Sequence, residues 1–201
     1  GKVEAVGSDG LQGQELLSHE IFVRDARMSL AGEQHPAWML PINQYNNLAS
    51  IIAVLGSGAG AQPFNTVKDY ENWSRRSLGV PALFEQAIAN MREGMAAGVV
   101  QPRALMEKVL PQLDAVIKPN AEESIFWVPV RNMPEDFSAE DRERLTTEYK
   151  RMIEYRLLPA YRALRGFIAT QYLPAARDSD GLGALPNGQA WYAHTVVSMT
   201  N

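Results

Sequence analysis

Apolar and polar positions recur with a helical period along most of the chain, and the pattern predicts its elements in order. Leu17, Ile21 and Met28 mark a helix over about Asp9 to Ala31, which Gly32 is placed to stop. From Glu33 to Asn47 the residues Pro36 and Pro41 forbid a regular helix, and Trp38-Met39-Leu40 reads as a short extended piece. A helix from Asn46 or Asn47 to Leu55 ends in the flexible Gly56-Ser57-Gly58-Ala59-Gly60. Thr66 and Asp69 form an acidic variant of the capping box, opening a helix that carries Tyr70, Trp73 and Leu78. Pro81 suits the first turn of the next helix, where Phe84, Ile88, Met91 and Met95 line one face before Gly98 closes it. Leu105, Val109, Leu113 and Val116 mark another, bent by Pro111 and ended by Pro119.

Residues 119–137 hold three prolines around Ile125-Phe126-Trp127-Val128, which suits an irregular linker or a hairpin-like excursion. Ser138 with Asp141 is a second cap signal. Beyond it Leu145, Tyr149, Ile153, Leu157, Ala160, Leu164, Ile168 and Tyr172 step by three or four, which implies one long helix, kinked or broken at Pro159. Pro174 and Gly181-Leu182-Gly183 end that run, and Pro186-Asn187-Gly188 turns into a last amphipathic stretch from Gln189 to Thr200. The expected fold class is all-α: a multi-helix array with one long proline-kinked helix and room for one short β-hairpin. Residues 1–201 are expected to form a single domain, with 119–137 as an internal linker.

Composition changes this picture little. With 46% hydrophobic and 21% charged residues in 201, the chain has the balance of a globular protein, and a formal charge of −4 gives no argument for nucleic acid. Cysteine is absent, which excludes disulfides, thiolate zinc sites and cysteine nucleophiles in this stretch. The longest apolar stretch, Leu48 to Leu55, is far short of a membrane span, and Gly1-Lys2-Val3-Glu4 has no signal-peptide pattern. Either the protein is cytosolic or a targeting segment has been cut away.

Most motif-like strings fail on their own chemistry. His19-Glu20 begins a His-Glu-x-x-His zinc motif, but Val23 stands where the second imidazole is needed, and His35 and His194 have no carboxylate at ligand spacing. Gly56 to Ala61 fits a dinucleotide fingerprint in letters, without the following helix and second strand that the phosphates require. Asp178-Ser179-Asp180-Gly181 lacks the outer ligands of a calcium loop, and Asn72-Trp73-Ser74 is a glycosylation sequon in form only. The basic residues between Arg142 and Arg177 are interleaved with Glu143, Glu148 and Glu154, as on a solvated helix face. Asn43, Gln44, Asn46 and Asn47 crowd into the proline-bounded irregular stretch. Such neutral amides either line a pocket that reads peptide or sugar groups, or satisfy loop backbone and cap the next helix, and the second is the more ordinary use.

Several strings together resemble a bacterial family, the domain of unknown function 885. They are Pro41-Ile42-Asn43-Gln44, Asp69-Tyr70, Met91-Arg92-Glu93-Gly94 with Gly98 and Pro102, Leu158-Pro159-Ala160-Tyr161, Tyr172-Leu173-Pro174-Ala175-Ala176-Arg177, and Leu185-Pro186-Asn187-Gly188 with Trp191-Tyr192 and Thr200. The resemblance runs from about Leu16 to Asn201. It implies a zincin-like helical fold, an envelope lipoprotein in the bacterial periplasm or cell envelope, and a longer parent in which a later helix carries a His-Glu-x-x-x-Gly-His type zinc motif. This chain has no counterpart of that motif and is expected to be an excised N-terminal or middle part. Its expected cofactor complement is therefore none, with zinc in the parent. Its expected partners are the remainder of the parent chain and a peptide substrate, with no nucleic acid and no transmembrane span. No residue is assigned a catalytic or metal-ligating role. Pattern and resemblance together select Asn43, Gln44, Tyr192 and His194 as substrate contacts. Two functions of different class follow: the cleft-forming helical portion of a zinc-dependent peptidase-like protein, inactive alone, or a non-enzymatic helical interaction module of a lipoprotein.

Overall fold

The computed structural model describes residues 2, 5 and 7–200. The chain divides into two compact units, Gly1–Ala37 with Gly181–Asn201, and Trp38–Asp180. Among the described residues the regular structure is helical. The extended pairing is confined to two isolated bridges, Ile42 with Asn47 and Pro102 with Arg177, so the all-α expectation holds and no hairpin forms.

In the smaller unit α1 (Gly13–Gly32) starts later than the apolar pattern suggests, because Gly10 takes a left-handed φ of 86° just upstream. None of its residues is buried, and Leu17, Ile21, Phe22 and Leu30 are exposed. A 3-10 turn, Leu182–Ala184, and Asn187 at φ 54° then lead into the terminal helix Gly188–Thr200, whose Trp191 is buried.

The larger unit contains α2 (Leu48–Gly56), α3 (Val67–Ser77), α4 (Val80–Ala97), α5 (Arg103–Val116) and a long helix α6 over residues 139–175. The terminal helix of the smaller unit is α7. Asn47 caps α2 through Ala49 N at 3.1 Å, and Thr66 and Asp69 form the full capping box of α3. Gly98, at φ 70°, closes α4 in the left-handed region. Trp38-Met39 belongs to a 3-10 turn, Ala37–Met39, instead of the extended piece its composition suggests, since Pro36 presets a turn φ just ahead of it. Residues 119–137 pack within this unit as a 3-10 turn, Ile125–Trp127, and one helical turn, Val128–Arg131, with Phe126 fully buried.

Helix α6 is the spine of the core, and all eight positions of its predicted stripe are buried. Its first segment, Ala139–Met152, packs on α3, and Leu158–Phe167 packs on α4 and α5. Two π-helical turns interrupt it, Ile153–Leu157 and Ile168–Tyr172, each directly ahead of a Leu-Pro pair. The stripe explains them. A step of four residues overshoots one α-turn by about 40°, so three in succession would carry the apolar face about 120° off the core. The steps Ile153 to Leu157 and Ile168 to Tyr172 are the π-turns themselves, where the wider i to i+5 bonding absorbs the overshoot. The same widening relieves the clash of the Pro159 and Pro174 rings with carbonyls one turn back, so α6 continues through Pro159 and ends at Ala175.

Four buried tyrosines tie the helices together. Tyr70 donates to Pro129 O at 2.7 Å, Tyr149 to Tyr70 O at 3.0 Å and Tyr161 to Ala49 O at 2.6 Å, while Tyr172 accepts from Gln101 N at 2.9 Å. Burial pushes the Tyr70 phenol up to about 12 and raises those of Tyr149 and Tyr161 as well, so all three are neutral donors at ordinary pH.

Candidate functional site

The larger unit places Asn43 and Gln44 in the irregular turn that enters α2. Asn43 Oδ1 accepts from Tyr45 N and Asn46 N, both at 2.8 Å, and its own N–H donates to Asn46 O at 3.0 Å. This Asx-type turn fills the acceptor capacity of Asn43 with loop backbone. Asn47, which caps α2, also donates from Nδ2 to Gln112 Oε1 at 2.8 Å, and Gln112 Nε2 returns a bond to Gln44 O at 3.0 Å. The carboxamide of Gln112 on α5 thus locks the turn against the helix array. Gln44 differs from its neighbours: its side-chain Oε1 is buried and has no hydrogen-bond partner. A buried amide oxygen left so costs about 1–3 kcal/mol, and Gln44 is therefore the acceptor in this turn with capacity for a donor.

The smaller unit places Tyr192 and His194 on α7. Tyr192 is exposed, and His194 is half-buried with its ring 5.3 Å from that of His35. His35 is buried, stacks on Trp191 at 5.7 Å with the planes 3° apart, and carries an unpartnered Nε2. His35 and His194 thus join Trp191 in an aromatic cluster, and Gly32 leaves room for the His194 ring, since a Cβ there would lie 2.9 Å from Nε2. Among the described residues no three His, Asp or Glu side chains converge as a metal site. No described helix is long and apolar enough to cross a membrane.

Sequence reasoning missed Gln112, whose partners lie 65 and 68 residues away and leave no local signal. It also missed a cavity of about 1150 Å³ between α3 and the first part of α6, lined among others by Leu78, Glu143, Arg151, Tyr155 and Arg156. There Arg144 bonds Glu71 at 2.9 Å and Asp141 at 3.0 Å and lies 3.8 Å from Glu148, which in turn accepts from the Ser74 hydroxyl. The alternating charges along residues 140–156 were legible, but the facing helix was not.

None of the curated proteins compared matches the chain. Among solved structures the fold is similar to that of a "putative lipoprotein" from Colwellia psychrerythraea, with a TM-score of 0.69 and 21% sequence identity. That match takes in 78% of this chain and 27% of the Colwellia chain, so this chain spans well under two thirds of its neighbour. The family model described as bacterial protein of unknown function (DUF885) matches residues 1–201, and the chain belongs to that family.

Proposed function

We propose that this chain is the helical, cleft-forming portion of a zinc-dependent, peptidase-like protein of the bacterial envelope, holding a peptide while the chemistry is done elsewhere in a longer parent. The observation that carries the reading is the buried, unpartnered Oε1 of Gln44, set in a turn that Asn43, Asn47 and Gln112 hold rigid. An unpartnered acceptor of this kind suits the N–H of a peptide backbone once the Gln44 carboxamide turns outward, and the move leaves no hydrogen bond of its Oε1 behind. Tyr192 and His194, on α7, supply a further hydroxyl and imidazole for the same substrate class. The name of the Colwellia neighbour supports an envelope location, and its greater length supports a parent that extends beyond this chain. The zinc of that parent belongs to a later helix, and no step of the chemistry is assigned to residues present here.

The alternative class, a non-enzymatic interaction module, has one observation in its favour: Leu17 and Ile21, one turn apart on α1, are exposed, as are Phe22 and Leu30 elsewhere on it, which offers apolar surface to another protein. The test that separates the two is peptide turnover by the longer protein. Losing one neutral hydrogen bond costs about 0.5–1.5 kcal/mol, so Gln44→Ala and Tyr192→Phe should each lower turnover roughly two- to tenfold without lowering the thermal midpoint. Unchanged turnover in both variants, or a loss that follows a lowered midpoint, would refute the peptide-holding reading.

A further inference from the structure

The cavity between α3 and the first part of α6 has an uneven distribution of satisfied charge. Along it Arg144 pairs with Glu71 at 2.9 Å and Asp141 at 3.0 Å and lies 3.8 Å from Glu148. Towards its C-terminal end Arg151 and Arg156 line the wall and have no carboxylate partner among the described residues, and Leu78 and Tyr155 stand beside them 57% and 71% exposed. Towards its N-terminal end Glu140 and Glu143 line the wall, again without a cationic partner among the described residues. Arg151, in the α-helical segment just ahead of the π-turn Ile153–Leu157, and Arg156, inside that turn, both line this wall.

Two unpaired guanidiniums beside exposed apolar side chains suit a carboxylate attached to an apolar group. Unpaired carboxylates at the opposite end suit an ammonium. Glu143 and Arg151 are eight residues apart, about 12 Å along the helix, and Glu140 and Arg156 are sixteen apart, about 24 Å. At about 3.3–3.6 Å per extended residue, those limits fit roughly four to six residues. We propose that this groove binds a short peptide with both ends free, four to six residues long by the roughly 3.5 Å rise of extended chain, with its carboxylate on Arg151 and Arg156. An apolar side chain near its carboxyl end lies on Leu78 and Tyr155, and its ammonium points to Glu140 and Glu143. The inference deepens the peptide-holding reading by naming the peptide chemistry at a second place in the fold.

The experiment is isothermal titration calorimetry of the 201-residue chain with a pentapeptide of four alanines and a C-terminal phenylalanine. It is compared with the C-terminal amide, the N-acetylated form, and an amide carrying an internal glutamate. The free peptide should bind saturably, and amidation or acetylation should each weaken binding about three- to tenfold, as expected for loss of a charge-assisted contact at a partly exposed site. Arg151→Gln and Arg156→Gln should each weaken binding of the free acid and reduce the effect of amidation, and the double variant should be insensitive to it. No saturable binding, equal affinity for acid and amide, equal affinity for the internal-glutamate amide, or unaltered binding in both arginine variants would overturn the proposal. Because the readout is binding by the chain itself, failure here leaves the turnover test of Gln44 and Tyr192 standing, and failure of that test leaves this one standing.

Discussion

Two glycines in the helices of the larger unit should respond to the same substitution with opposite sign. Gly56 ends α2, and a Cβ built on it would lie 2.5 and 2.7 Å from two ring carbons of Phe126 and closer still to the Trp73 ring. Those rings are 0% and 2% exposed and stack on each other at 6.5 Å, so neither can move aside without disturbing the core. Overpacking of this kind costs about 1–3 kcal/mol, and the better helix propensity of alanine, about 0.8–1 kcal/mol in a helix interior and less at its last residue, offsets only part. Gly56→Ala should therefore destabilise by about 1–2 kcal/mol. Gly166 lies inside α6 with no atom within 4 Å of a built Cβ, so Gly166→Ala keeps the propensity gain alone and should stabilise by about 0.5–1 kcal/mol. In a chain of this size 1 kcal/mol moves the thermal midpoint by about 2–4 °C, which urea and thermal melts followed by circular dichroism resolve. Changes in the unfolded chain are alike for both variants, so the difference in sign isolates contact with the rings. A Gly56→Ala chain as stable as the wild type, or both variants shifted the same way, would refute this account of the core.

Tyr161→Phe removes the buried bond to Ala49 O and should cost about 0.5–1.5 kcal/mol in the same melts, with no change in far-ultraviolet signal; a neutral result would mean the bond adds nothing. Stability should also fall in acid. Hydrogen bonds from Thr66 to Asp69, from Ser138 to Asp141, from Arg165 to Asp114 and from Lys150 to Glu122 hold these four carboxyls below their ordinary range. Their contribution is thus present above the unfolded value of about 4 and is lost as pH falls through the lower folded values, so the midpoint should be level above about pH 5 and drop below about pH 4. A midpoint level down to pH 2, roughly two units below the unfolded value, would contradict it.

The long helix and its caps were legible because their signals are local. Thr66 with Asp69 and Ser138 with Asp141 act within one turn, and the eight-position stripe of α6 needs no distant partner to be recognised. The stripe of α1 was legible as a helix for the same reason, but periodicity reports only a face suited to burial, and none of that helix's residues is buried. Trp38-Met39 was misread because three apolar residues between prolines carry no period at all. At the candidate site the amides of Asn43 and Asn47 went to the turn and the cap, as their composition in a proline-bounded stretch allowed. The special position of Gln44 depends on Gln112, far along the chain, and was out of reach.

The π-turns were within reach, and they connect the core to the cavities. Ile153 to Ala160 and Ile168 to Ala175 share one string, Ile, three variable residues, Leu or Tyr, then Leu-Pro-Ala, fifteen residues apart. Each string places its first and fifth residues in the core and its third and fourth outside it. In the first those outer residues are Tyr155 and Arg156, which face the large cavity; in the second they are Thr170 and Gln171, which line a smaller one of about 400 Å³. The insertion that keeps the apolar stripe on the core therefore also turns a pair of neighbouring side chains onto an open wall, twice, at equivalent positions. What differs is whether the wall is already satisfied. At the second, Gln171 accepts from Arg92 at 3.4 Å while the Arg92 guanidinium lies 5.2 Å over the Phe167 ring, so its cation is engaged within the fold. At the first, Arg156 has no carboxylate partner among the described residues and Tyr155 is 71% exposed, which is why a ligand is assigned to that cavity alone.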